Sequence, residues 1–163
     1  MLRRTYGATS AGDGCRRVFT LTLHEERLQQ PLRRKKPTVY FVNSMSDLFH
    51  EDIPDVFIEQ VMAVAIQTPQ HTYQILTKRA ERLPAFFSQR PVPTNVWLGV
   101  SVEDRRYGLP RIDLLRQVTA RIRFLSVEPL LENLGPMNLE GIHWVIVGGE
   151  SYSGPRKMDQ GLR

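Results

Sequence analysis

The stretch Asn95-Val-Trp-Leu-Gly-Val-Ser-Val-Glu103 decides the fold, because it is an apolar run that ends abruptly in polar residues. Four other runs share this form, and the five cover residues 38–42, 72–76, 96–100, 122–125 and 144–147. They are continuously apolar rather than alternating, which is typical of strands buried on both faces of a parallel sheet. We therefore predict about five parallel strands.

Helical patterns separate the predicted strands. The clearest covers residues 53–67, with Phe57, Val61 and Val64 on one face, and others cover 78–89 and 110–118. The strand starts are 34, 24, 26 and 22 residues apart, which suits repeated strand–helix units with right-handed crossovers. This predicts an α/β fold, a partial (β/α) barrel with parallel strands and outer helices. A doubly wound sheet remains the alternative, since a complete barrel needs about 250 residues.

The predicted barrel domain is preceded by a segment without helix or strand periodicity. Residues 1–20 carry Gly7, Gly12 and Gly14 among polar residues without periodicity, so we expect a loose lead-in. Residues 21–163 form the predicted incomplete barrel domain.

Composition limits the class of protein. The chain has 163 residues, of which 41% are hydrophobic, and no apolar run long enough to span a membrane. We expect a cytoplasmic protein with no membrane partner. The single cysteine, Cys15, excludes an internal disulfide, and the spacing of the four histidines predicts no metal site.

A net charge of +5 permits binding to nucleic acid. The densest basic cluster is the basic run Arg33-Arg34-Lys35-Lys36, just before the first predicted strand. We interpret it as a solvated loop, with a nucleic-acid patch as the alternative.

Polar residues follow the carboxyl end of each predicted strand. In parallel α/β folds, ligands bind at this edge because loops and free amide groups converge there. We expect a small-molecule ligand at these ends but assign no catalytic residue. The candidate binding residues are Asn43, Ser44, Asp47, Lys78, Ser101, Glu103, Glu128, Gly148, Gly149 and Glu150.

Five ordered motifs carry a resemblance to a known family. The chain resembles the phage gp-thirty-seven/gp-sixty-eight family, a family of unknown function whose three-cysteine motif is similar to that of radical S-adenosylmethionine enzymes. The motifs are Phe41-Val-Asn-Ser-Met-Ser-Asp-Leu-Phe-His50, Gln74-Ile-Leu-Thr-Lys-Arg79, residues 95–103, Arg123-Phe-Leu-Ser-Val-Glu-Pro-Leu130 and Trp144-Val-Ile-Val-Gly-Gly-Glu-Ser151.

The resemblance implies a partial barrel that holds a [4Fe–4S] cluster and S-adenosylmethionine in full-length members. Residues 43–47 would lie nearest the amino acid moiety of the cofactor. Ser101 and Glu103 would lie near its ribose, with Glu128 and Glu150 close by.

This sequence departs from the family pattern in its cysteines. Only Cys15 precedes the matching region, whereas the cluster of radical enzymes takes three thiolates. We therefore expect neither cofactor in this chain and interpret it as a piece that lacks both ends of the family sequence, so whether it is an enzyme stays open. The leading hypothesis is a fragment that keeps a ligand-binding face. The alternatives are a nucleic-acid-binding module and a metal-dependent enzyme that uses the acidic strand ends.

Overall fold

The computed structural model describes residues 3–7, 18–42 and 46–149 of the chain. The first two strands, β1 (Arg3–Gly7) and β2 (Val18–Thr22), pair antiparallel in a separate two-stranded sheet. The sequence analysis did not predict this pair. No helix in the described part of the chain is long and apolar enough to cross a membrane.

The main sheet has five parallel strands, which confirms the predicted fold. They are β3 (Val39–Val42), β4 (Thr72–Thr77), β5 (Val96–Ser101), β6 (Ile122–Val127) and β7 (Trp144–Val147). Each strand pairs in parallel with the next one along the chain, in the order β3-β4-β5-β6-β7. A doubly wound sheet reverses its strand order at a switch point. This sheet does not, so it has the arrangement of a partial (β/α) barrel.

The predicted helices form between the strands, with shifted ends. A 3₁₀ helix (Glu25–Leu28) and α1 (Gln29–Arg33) precede β3, and α2 (Asp55–Gln67), α3 (Arg82–Phe87) and α4 (Gly108–Arg116) follow β3, β4 and β5. Proline is tolerated in a first helical turn, where Pro84 and Pro110 both lie. Asp104 accepts a hydrogen bond from the backbone N–H of Tyr107 at 2.6 Å, just before α4. Helix α2 begins directly after Pro54, which takes the N-cap position without a side-chain cap.

One face of the main sheet forms the core with the helices. The face residues Tyr73, Ile75, Leu98, Val100 and Leu125 are all buried. Helix α2 covers this face with Phe57, Val61 and Val64, which are also buried, as the sequence pattern predicts.

The β6–β7 connection has no helix, and two arginines hold it in place instead. The guanidinium of Arg116 donates to the carbonyl oxygen of Glu140 at 2.9 Å, and that of Arg123 donates to the carbonyl oxygen of Gly141 at 2.9 Å. Gly141 has a φ of 69°, a conformation that favours glycine. Side-chain bonds to backbone carbonyls thus replace the packing of a crossover helix.

The opposite face of the sheet is partly exposed at its outer strands and buried at its centre, where Phe124 lies. We call it the open face, and it carries Val39, Phe41, Gln74, Trp97 and Trp144. Val39, Phe41 and Trp144 are 61%, 41% and 42% exposed, whereas Tyr73, Ile75, Leu98, Val100 and Leu125 of the core face are buried. The helices therefore form one layer on the other side of the sheet.

A glycine in the middle of β5 lets an aromatic ring lie across the open face. A Cβ atom added at Gly99 would lie 2.4 Å from the Cζ atom of Phe124, on the neighbouring strand. The Phe124 ring is fully buried and lies 5.7 Å from the Trp144 ring, centroid to centroid.

We expect Gly99→Ala to lower the free energy of unfolding by about 1–3 kcal/mol, because the added methyl group overpacks against the Phe124 ring. Urea denaturation measures the loss. The double variant Gly99→Ala/Phe124→Leu makes room for the methyl group and should show less than the sum of the two single losses. Strictly additive losses would contradict this account of Gly99.

Candidate functional site

Asp47 joins the segment after β3 to the end of β4. Its carboxylate accepts hydrogen bonds from the hydroxyl of Thr77 at 2.7 Å and from the backbone N–H of Lys78 at 2.9 Å. It also accepts from the Arg79 guanidinium at 3.2 Å and from the backbone N–H of Phe49 at 2.9 Å. Both carboxylate oxygens are therefore occupied by donors of the protein itself.

Glu103 lies just beyond β5 and is the most buried charged side chain of this edge that we describe. Its carboxylate pairs with the Lys78 ammonium through one oxygen and with the Arg111 guanidinium, at 2.8 Å, through the other. The Glu103 and Arg111 side chains are only 8% and 13% exposed, whereas Lys78 is 56% exposed. Arg111 also donates to the carbonyl oxygen of Ser101 at 2.7 Å, which fixes it against the end of β5.

Glu128 lies just beyond β6 and is exposed. Its carboxylate accepts a hydrogen bond from the Ser126 hydroxyl at 3.3 Å. A Cβ atom added at Gly148 would lie 2.4 Å from Oε1 of Glu128, so the glycine leaves room for the carboxylate beside the end of β7. The backbone N–H of Leu130 donates to the carbonyl oxygen of Gly148 at 3.0 Å and holds the chain after Glu128 there.

The backbone N–H of Leu131, just after β6, also donates to the carbonyl oxygen of Glu103 at 3.2 Å, so contacts link the ends of all five strands in one group. The strand-end group consists of Asp47, Lys78, Glu103, Glu128 and Gly148, which the sequence analysis expected at one edge, and Ser101 and Gly149 adjoin it. Their roles in binding a ligand remain predictions. The candidates Asn43, Ser44 and Glu150 lie outside the described residues.

The sequence analysis missed Arg111 as part of the site. It lies in the first half of α4, eight residues after Glu103, and a buried acid is the partner that brings it to the edge. The available signal was an arginine near the start of the helix that follows an acidic strand end. That spacing is too common to identify an ion pair by itself.

Exposure separates the strand-end group into two kinds of residue. The carboxylate oxygens of Asp47 and Glu103 are bound by donors of the protein, so these two residues position their neighbours. Lys78 and Glu128 are exposed side chains of opposite charge at the same edge, and the Lys78 ammonium also pairs with Glu103. Within the described residues, no group of three or more His, Cys, Asp or Glu side chains is placed to hold a metal ion.

Two cavities lie away from the strand-end group. One is lined by Leu28, Pro31 and Phe57 between α1, α2 and the sheet. The other lies beside residues 84–92 and 117–119, where α3 and α4 end. The Tyr73 phenol lines the first cavity, and its burial raises its pKa. Elsewhere, a backbone hydrogen bond lowers the pKa of the Glu26 carboxyl.

The basic run at 33–36 lies at the other end of the sheet. All four of its residues are exposed, and they lie just before β3, at the amino edge of the strands. The Arg34 guanidinium donates to the Thr38 hydroxyl at 2.6 Å. The chain therefore carries two separate polar surfaces, one at each edge of the sheet.

Comparison with known proteins identifies the family of the chain but no function. A family model described as "Protein of unknown function (DUF5131)" matches residues 1–162. No curated protein and no solved structure matches the chain. The match assigns neither a reaction nor a cofactor, so the likeness to radical enzymes remains a hypothesis.

We expect Arg111→Met to lower the free energy of unfolding by about 3 kcal/mol, because it leaves the buried Glu103 carboxylate without its buried partner. Lys78→Met is the matched control, since it removes the exposed partner of the same carboxylate and should cost at most about 1 kcal/mol. Urea denaturation of both variants tests the difference. Equal losses would show that burial does not distinguish the two pairs.

Proposed function

The chain belongs to a family of proteins of unknown function, DUF5131, so we propose its function from the strand-end group. We propose that the carboxyl edge of the sheet binds a small molecule that carries both a carboxylate and hydroxyl or ammonium groups. The observation that carries this proposal is the pair of exposed, opposite charges of Lys78 and Glu128 at one edge of a parallel sheet. This edge is where parallel α/β folds bind their ligands.

Lys78 and Glu128 directly follow strands β4 and β6, which are separated only by β5. Two strand spacings correspond to about 10 Å. A ligand with a carboxylate at one end and hydroxyl groups at the other can meet Lys78 and Glu128 together, because cations bind carboxylates and carboxylates accept from hydroxyl or ammonium groups.

S-adenosylmethionine is the first candidate for this ligand, and the resemblance to the phage gp-thirty-seven/gp-sixty-eight family supports the choice. Lys78 would hold the carboxylate of its amino acid moiety, next to the segment 43–47. Glu128 would accept from the ribose hydroxyls, with Ser101 close by. Glu103 was expected near the ribose, but we assign it a positioning role because Lys78 and Arg111 occupy its oxygens.

We propose binding without a radical reaction for this chain. A [4Fe–4S] cluster of the radical type takes three cysteine thiolates, and Cys15 supplies one. The residues present therefore do not fit the cluster, and we derive no catalytic step. The divalent-metal alternative is also not favoured, since protein cations already neutralise Asp47 and Glu103.

We expect saturable binding of S-adenosylmethionine, measured by isothermal titration calorimetry. Glu128→Gln should weaken binding by at least about tenfold, because it removes a charged acceptor of hydrogen bonds. Lys78→Gln should weaken it similarly through the carboxylate.

Glu140→Gln is the matched control, because Glu140 is an exposed acid in the β6–β7 connection, outside the strand-end group. This variant should bind with unchanged affinity. The proposal fails if the protein shows no saturable binding, or if Glu128→Gln and Glu140→Gln behave alike.

Anaerobic reconstitution with iron and sulfide should leave the protein without a stoichiometric cluster, because the chain has one cysteine. The visible absorption spectrum and the iron content measure this. A band accompanied by about four irons per chain, or per dimer sharing two Cys15 thiolates, would contradict the expectation.

A further inference from the structure

We propose that the open face of the five-stranded sheet binds single-stranded nucleic acid. This inference does not rest on the proposed function, since it concerns the face of the sheet rather than its carboxyl edge. It comes from three features of the described residues: partly exposed aromatic side chains on the open face, their spacing, and the position of the basic run.

The open face exposes aromatic rings that the core does not use. Phe41 on β3 and Trp144 on β7 are each about two-fifths exposed, and Trp97 on β5 is partly exposed. Trp97 and Trp144 contact each other edge to face, with ring centroids 6.2 Å apart. Aromatic rings on an open sheet are a stacking surface for unpaired bases, as in several single-strand-binding modules.

The register places these rings at a spacing that suits successive nucleotides. Phe41 pairs with Gln74, and Gln74 pairs with Trp97, so the three lie in one row across β3, β4 and β5. Two strand spacings separate the two rings by about 10 Å. The amide of Gln74 lies between them, and an amide both donates to and accepts from base edges.

The basic run supplies the complementary charge for a phosphate backbone. Arg33, Arg34, Lys35 and Lys36 are all exposed and lead directly into β3, the strand that carries Phe41. The chain as a whole has a net charge of +5. A stacking surface beside a basic stretch is the combination that binds single strands without sequence preference.

Charge also favours nucleic acid over a second copy of this chain as the occupant. Two copies would each bring a net charge of +5, and like charges repel. Duplex nucleic acid fits less well, because its bases are paired and stacked on each other and so cannot stack on Phe41 or Trp97.

The tryptophans make the test direct, because Trp97 and Trp144 are the chain's two tryptophans and both belong to the open face. Titration with an oligothymidylate of about 15 nucleotides should quench their fluorescence. The affinity should fall with salt, with a slope of about −0.7 per phosphate contacted. Duplex DNA of the same length should quench less.

Matched variants separate stacking from charge. Phe41→Leu should weaken binding at least about fivefold by removing a stacked ring, whereas Ile66→Ala, at an exposed apolar site on α2, should leave affinity unchanged. Lys36→Gln should reduce the salt slope by about 0.7. Arg106→Gln removes one charge near the carboxyl edge and should not change the slope.

Three results would overturn the proposal. The first is tryptophan emission that does not respond to the oligonucleotide, and the second is an equal response to duplex. The third is self-association in sedimentation experiments that quenches the tryptophans without nucleic acid. Each leaves the calorimetric comparison of Glu128→Gln with Glu140→Gln unaffected, so the failure of one proposal is distinguishable from the failure of the other.

Discussion

Parallel pairing of five strands in chain order is the constraint on which the other features of this protein depend. Because every strand runs the same way, every carboxyl end emerges at one edge, and residues far apart in sequence, such as Asp47 and Lys78, become neighbours. Because every crossover has the same hand, the helices pack on one face of the sheet. The strand-end group and the open face are the two consequences, one at the edge of the sheet and the other on its uncovered side.

Burial decides what each charge of the strand-end group can do. Glu103 and Glu128 have the same side chain and similar places after neighbouring strands. Arg111 and Lys78 enclose Glu103, and it organises the edge from within. Glu128 lies over Gly148 in contact with solvent, and it is free to accept hydrogen bonds from a ligand. The same division separates the Lys78 side chain, which is 56% exposed although its ammonium pairs with Glu103, from that of Arg111, which is 13% exposed.

The open face and the carboxyl edge meet along β4, β5 and β6, so the two proposed binding surfaces are adjacent. Phe124 and Gly99 belong to the same strands as Ser126 and Ser101, two residues nearer the amino end. Small polar side chains at the edge therefore give way to aromatic ones further down the strands. Such a gradient suits a site that holds polar groups at its rim and planar rings deeper on the sheet.

The sequence by itself determined the five strands and the main helix, because continuous apolar runs and the Phe57, Val61, Val64 spacing are local signals. It also placed Asp47, Lys78, Glu103 and Glu128 at one edge, since parallel strands with short crossovers leave no other arrangement. It did not determine the strand order, the Arg111 pair or the uncovered face. Those depend on contacts between residues distant in the chain. Phe41 and Trp97 look like ordinary strand residues until the register places them in one row, on a face that no helix of the described residues covers. Only the tertiary structure decides which side of a strand is covered, because periodicity reports that a strand is apolar and not what packs against it.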